Sequence, residues 1–365
     1  MANSNTVLRL ALEPVDNLFF RDARPFEAAS RAASGLPMPQ TLAGAVRTLL
    51  LERHGVDFNR LGEQVRNGVS FAASLAEFGS EAAGVAELRI RGPWFTLNGE
   101  VLVVPPASLR REKKELQNQK EDWRPVFRLD PLKSLLPGWK PQAQEMLPLW
   151  HYGRETVEAV DGLLKISGLH RFLEGDSPEP GDLVPISRLY DFEDRTGIGV
   201  DPKRNTAAEG MIYGIRMLAL KPDASLYAEV SGPALALGPL AAEPVMMKFG
   251  GEGRHVVVRT VESGANWPSV PPEAGKGRLV LLTTPAHFNG WKPSGLEPVA
   301  AAVGGFQAVS GWDLARGGPK PNRFMVPAGS VYFLPSGTQL PDELVDREDA
   351  KAGWGCFVEG NWNYV

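Results

Sequence analysis

The chain has 365 residues, with 39 Lys and Arg against 43 Asp and Glu, 39 Gly, 31 Pro and one Cys. Such a length exceeds what one hydrophobic core usually organises, so about two domains are expected, and the lone Cys356 closes no disulfide within the chain, which points to a reducing, cytoplasmic compartment. A formal net charge of −4 excludes nucleic-acid binding through bulk charge and leaves room only for a local basic groove.

No basic region precedes an apolar run at the N-terminus, and Val230 to Ala242 is too short and too rich in Gly and Pro to span a bilayer, so neither a signal peptide nor a membrane segment is expected. Leu8, Leu10 and Leu12 alternate with Val7, Arg9 and Ala11, a strand that Pro14 ends. Leu42, Val46, Leu49 and Leu50 then follow helical spacing, with Thr41 as N-cap, Gly55 as stop, Arg47 off the apolar stripe and Gly44 free to admit another backbone. Leu88 and Ile90 lie in an alternating strand, and Phe95 to Val104 reads as a hairpin about Asn98-Gly99, the pair that type I′ turns favour.

From Ala107 to about Pro185 the pattern is irregular and reads as a partly helical insertion. Ile186 to Phe192 and Met211 to Leu220 read as two strands flanking a polar, Gly-containing stretch that would project outward. Next come a helical piece from Ala234 to Lys248 interrupted by Pro239 and Pro244, a β-branched strand from His255 to Val261, and a linker, NWPSVPPEAGKG. Leu279 to Thr284 is a strand, and short β segments surround GWDLARGGPKPNRF, VPAGSVYFL and GWGCFVEGNW. Asp342, Glu343, Asp346, Glu348 and Asp349 make one C-terminal stretch strongly acidic.

The spacings that carry common chemistries are missing: there is no His-Glu-x-x-His, Cys-x-x-Cys, P-loop, dinucleotide fingerprint or Gly-x-Ser-x-Gly elbow, so no metal and no cofactor are expected. Three stretches remain. Gly250, Gly251 and Gly253 with Lys248 and Arg254 could leave amides open as an anion-binding nest, or form a plain turn. His255 beside them could be a general acid or base, or a structural strand residue. Arg21 and Arg24 could take phosphates in forked fashion, or pair with Asp22 to hold their own loop. Arg195 to Arg204, with Gly197, Ile198 and Lys203, suits an apolar wedge with basic contacts among nucleotides, or a solvated loop.

LEPVDNLFFRDARPF followed by PMPQTLAGAVRTLL resembles the N-terminal signature of the third subunit of the Cmr complex, the type III-B CRISPR effector. DRTGIGVDPKRNTAAEGMIYG, GGEGR and SGWDLARGGPKPNRFMVPAGSVYFL follow in the family's order, so the likeness covers nearly the whole chain. The resemblance implies the RAMP superfamily and an α+β fold of two ferredoxin-like (RRM-like) domains, here 1–268 and 275–365. The first would carry the insertion at about 107–185 and a β-hairpin thumb at about 194–210. It implies a non-catalytic subunit that caps the 5′ tag of the CRISPR RNA, docks on the large polymerase-like subunit and meets the first backbone subunit. RNA contact carries over to Arg21, Arg24, Arg195, Gly197, Ile198, Gly250, Gly251, Gly253 and Arg254, with Lys203, Arg204 and Lys248 beside them. The rival expectation is a metal-independent endoribonuclease, as other RAMP proteins are, with His255 as base and Arg254 stabilising charge on the phosphate; a third is a bridge that touches protein only.

Overall fold

The computed structural model describes residues 5–21, 31–113, 124–140, 146–201, 204, 206–313 and 318–365. Two antiparallel sheets dominate it. The larger has eight strands, running from one edge as Leu183–Val184, Leu163–Lys165, Glu100–Val103, Arg89–Leu97, Ala224–Pro233, Asn5–Pro14, His255–Thr260 and Val245–Lys248. The smaller has four, in the order Ala300–Ala302, Val331–Leu334, Gly277–Leu282 and Phe357–Trp362. In each, four strands numbered by chain position lie in the spatial order 4-1-3-2: Asn5–Pro14, Arg89–Leu97, Ala224–Pro233 and His255–Thr260 in the first, and all four strands in the second.

The leucine alternation does what its period requires: Leu10 and Leu12 are fully buried beneath the helices, with Leu8 packed at the border. Helix Pro39–Arg53 covers that face with Leu42, Val46 and Leu50 and is joined by short helices including Ala234–Ala241. It begins at Met38, not at the expected cap Thr41, because Pro39 at the first helical position fixes the turn. Gly44 has nothing within 4 Å among the described residues, so none of their backbone uses the approach it permits. The Asn98-Gly99 hairpin is as expected, with φ of 51° and 79° at its two central residues.

Two further expectations are corrected. The piece from Ala234 to Lys248 is helical only to Ala241, and Val245–Lys248 is instead an edge strand, as Pro244 and the β-branched Val245 favour. The NWPSVPPEAGKG stretch is no free linker: Trp267 lies 4.6 Å from the Trp94 ring, its indole N–H donates to Glu229 at 2.8 Å, and Val270 is buried.

The two sheets share a core between them. Trp94, Val101 and Tyr227 of the first meet Leu279, Leu281, Phe333 and Trp362 of the second, and the Trp94 indole N–H donates to the Thr283 carbonyl at 3.1 Å. Gly277–Leu282 is buried at every position because its alternate residues, Val280 and Leu282, enter a separate core on the far face. The 107–185 region contributes to the first sheet and to the shared core: Leu163–Lys165 and Leu183–Val184 extend that sheet at its edge, and helix Ile166–Glu174 places Phe172 and Leu173 in the core. No helix among the described residues is long and apolar enough to cross a membrane.

Two β ribbons leave this body. One is Tyr190–Asp201 paired with Thr206–Leu220, longer than expected, because the polar stretch itself pairs out to Asp201 and Thr206. The other pairs Gln307–Val309 with Arg323–Met325, then Trp312–Asp313 with Gly318–Pro319. The acidic C-terminal stretch packs rather than trails, since Glu343 pairs with Arg89 and Asp349 takes Arg323 at 2.8 Å.

Candidate nucleic-acid interface

Residues far apart in sequence meet at the root of the first ribbon. A two-stranded ribbon is marginal alone in water, and this one is anchored at its root by three neighbours. Tyr190 stacks on Phe95 at 5.3 Å and meets Phe192 edge-on at 5.6 Å. Arg31–Ala33 adds a third, parallel strand alongside Gly214, Ile215 and Arg216. Leu18 exchanges backbone hydrogen bonds with Leu218, both at 2.8 Å, which docks the loop after the first strand onto the ribbon.

That same loop supports the glycine turn. The Gly251 amide donates to the Phe19 carbonyl at 2.7 Å, and the Phe20 and Phe249 rings meet edge-on at 5.1 Å. A Cβ at Gly250 would lie 2.5 Å from the Phe19 carbonyl oxygen, and φ there is +92°. Glycine is therefore required at 250 by a positive φ, which the consecutive glycines allow, and by a close backbone approach that the sequence does not reveal. Gly253, with φ +64°, is exposed and has nothing within 4 Å among the described residues.

Charged side chains join the three pieces. Arg254, just past the turn, donates from Nη1 to Asp16 Oδ2 at 2.5 Å. Arg195, on the ribbon, donates from Nε to Glu193 Oε1 at 2.7 Å and holds Nη2 3.6 Å from Asp16 Oδ1. Asn17 Nδ2 donates to Glu193 Oε2 at 2.6 Å, and its backbone N–H donates to Asp16 Oδ1 at 2.7 Å. The Asn17 amide, followed by the charges of Arg195 and Arg254, holds the Asp16 carboxyl below the usual range. Hydrogen bonds from Arg195 and Asn17 do the same for Glu193. Arg216 lies over the Phe192 ring at 5.2 Å, which gives the ribbon root a second cation.

Of the residues expected to touch RNA, the structure brings Arg195, Gly250, Gly251, Gly253 and Arg254 together at this corner. Lys248 is exposed on the strand that enters the turn, paired in register with His255, and Arg21 is exposed and bridged to Ser34 beside the ribbon root. Gly197 pairs with Tyr213 and the backbone of Ile198 with Ile212 further out, before the register shifts between Ile198 and Val200. Arg204 is exposed beyond the end of the strand at Asp201, well out from Arg195. Arg24, Lys203 and the Ile198 side chain lie outside the described residues. His255 is half-buried, and its backbone carbonyl accepts from the Val15 amide at 3.1 Å. Sequence reasoning missed Asp16, Asn17 and Glu193 as parts of the site; the only signal was an acidic residue within each basic motif. Among the described residues no group of three or more His, Cys, Asp or Glu is placed to hold a metal.

These features define a mixed helix-and-sheet protein of two packed antiparallel sheets with an arginine-bearing ribbon rooted beside a glycine turn. The family model described as CRISPR-associated protein (Cas_Cmr3) matches residues 10–362, and the chain belongs to that family. None of the curated proteins matches it. Among solved structures, it is similar to a chain of the type III-B Cmr-beta complex bound to cognate target RNA and AMPPnP. The identity is 17% over 89% of this chain and 86% of that one, with a TM-score of 0.48. It is also similar to a chain of the Csm3-Csm4 subcomplex of the type III-A interference complex, at 10% identity over 91% and 95%, TM-score 0.40. A chain of the Csm1-Csm4 cassette in complex with AMPPNP matches at 12% identity over 93% and 99%, TM-score 0.36.

Proposed function

We propose that this chain is the subunit of a cytoplasmic type III-B CRISPR ribonucleoprotein effector that holds the 5′ tag of the CRISPR RNA, does not itself cut RNA, and joins the large polymerase-like subunit to the first backbone subunit. The 4-1-3-2 strand order in both sheets supports reading them as a pair of ferredoxin-like halves. One observation carries the functional reading: three stretches around positions 16, 195 and 254 converge on one corner, where arginines lie beside an open glycine turn and an outward ribbon. Single-stranded RNA is bound by cations and amides along its phosphates and by open surfaces that receive unstacked bases. The corner supplies the first and the exposed length of the ribbon the second.

The test is assembly of the complex on guide RNA with and without the tag, at several salt concentrations, using Arg195→Ala together with Arg254→Ala. Tag-dependent assembly is expected to weaken, most visibly at low salt, and to depend less steeply on salt than the parent's. Unchanged assembly would remove the site assignment, and RNA cleavage in EDTA that disappears with His255→Ala would overturn the non-catalytic role.

A further inference from the structure

The corner is electrically closed as folded. Asp16 and Glu193 bring two negative charges, and Arg195 and Arg254 two positive ones. Arg254 spends Nη1 on Asp16, while its Nη2 meets the Met217 sulfur at 3.6 Å, and its buried Nε has no hydrogen-bond partner among the described residues. Arg195 spends Nε on Glu193 and turns Nη2 toward Asp16. A guanidinium receives a carboxylate and a phosphate through the same forked geometry. The Asp16 carboxylate therefore stands where an incoming phosphate would bind. It is also held loosely: its side chain is 51% exposed, so solvent screens both contacts.

We infer that Asp16 is an internal stand-in for phosphate, a carboxylate that ties the glycine turn to the ribbon root in the free chain and yields Arg254 and Arg195 to an RNA phosphate on binding. This rests on the RNA-binding reading above. A single phosphate must displace a carboxylate already seated, so it gains little. A strand that also lies along the ribbon gains enough to open the cluster, and the carboxylate thereby selects against isolated anions.

The experiment measures binding of the full-length chain to fluorescein-labelled CRISPR RNA carrying its 5′ tag, and to inorganic polyphosphate, across a range of salt. Asp16→Asn is expected to bind both about two- to fivefold more tightly at low salt, the equivalent of losing one exposed ion pair. Its log–log salt slope is expected to be steeper by about 0.7, the increment for one more phosphate neutralised on a single strand. Glu193→Gln, which releases Arg195 without touching the Asp16 loop, is expected to move affinity in the same direction and guards against a folding defect in the first variant. If RNA binds and both variants bind as the parent does or more weakly, Asp16 positions the arginines and the inference fails while the function reading stands. If polyphosphate binding tightens but RNA does not bind, the carboxylate does mask the arginines, but the RNA reading fails and with it the release to an RNA phosphate that rests on it. If neither ligand binds, both fail.

Discussion

Replacing Gly250 by Ala should damage the protein far more than replacing Gly253, although both glycines have positive φ. At Gly253 the added Cβ meets nothing within 4 Å, so the cost is that of the left-handed conformation alone, about 1–2 kcal/mol. At Gly250 the conformation costs a similar amount, and the Cβ would also sit 2.5 Å from the Phe19 carbonyl oxygen and 3.2 Å from the Phe20 ring. Moving that carbonyl weakens the 2.7 Å bond from the Gly251 amide, worth about 1 kcal/mol. Disturbing the Phe20–Phe249 contact adds about 1–3 kcal/mol of overpacking. The total for Gly250→Ala is about 3–6 kcal/mol, and urea unfolding should show its midpoint lowered several times more than that of Gly253→Ala at equal m. Equal shifts for the two variants would refute the claim that backbone contact, and not turn flexibility, fixes glycine at 250.

Other consequences follow from buried charge, ring packing and pH. Arg128 is enclosed: it donates to the Phe172 carbonyl at 2.8 Å and the Asn361 carbonyl at 3.1 Å and pairs with Asp130 at 2.9 Å. Arg128→Met leaves Asp130 uncompensated and should cost about 3–5 kcal/mol in urea unfolding, part of it restored by adding Asp130→Asn. Trp362 is 2% exposed and donates in bifurcated fashion to the Arg278 and Leu334 carbonyls, both at 2.9 Å, so Trp362→Ala should cost about 3–5 kcal/mol, read as a lowered urea midpoint. The Asp16 and Glu193 carboxyls are held below their ordinary values of 3.8 and 4.5. Their contribution to stability is therefore present above those values and lost as pH falls through the depressed ones. The urea midpoint of the parent should fall more steeply over that acid range than that of the Asp16→Asn, Glu193→Gln variant.

Much of the sheet framework was legible because its residues obey local rules. The Leu8, Leu10, Leu12 alternation and the Asn98-Gly99 turn each encode their structure within a few residues. Errors arose where tertiary partners decide. Val245–Lys248 could continue a helical pattern, but its backbone pairs with His255–Val258, which no window around it reveals. The stretch around Trp267 has a linker's Pro and Gly content, yet the second sheet brings Trp94 and Glu229 to it. The basic members of the corner were legible through their motifs. Their acidic partners Asp16 and Glu193 were not: the Asp16–Arg195 pair and the Asn17–Glu193 hydrogen bond each cross more than 170 residues and leave no local pattern, and the short Glu193–Arg195 spacing alone does not point to this corner. The glycine turn was recognised as special, but its cause, the Phe19 carbonyl packed beneath Gly250, lies in another strand's loop.

The most direct measurement is a density map of the reconstituted effector with its CRISPR RNA. The account predicts that the 5′ tag runs across this chain, with phosphates within hydrogen-bond reach of Arg195 and Arg254 beside the 250–254 turn and the ribbon laid over the strand. A tag seated wholly on another subunit, with this corner remote from any nucleotide, would contradict it.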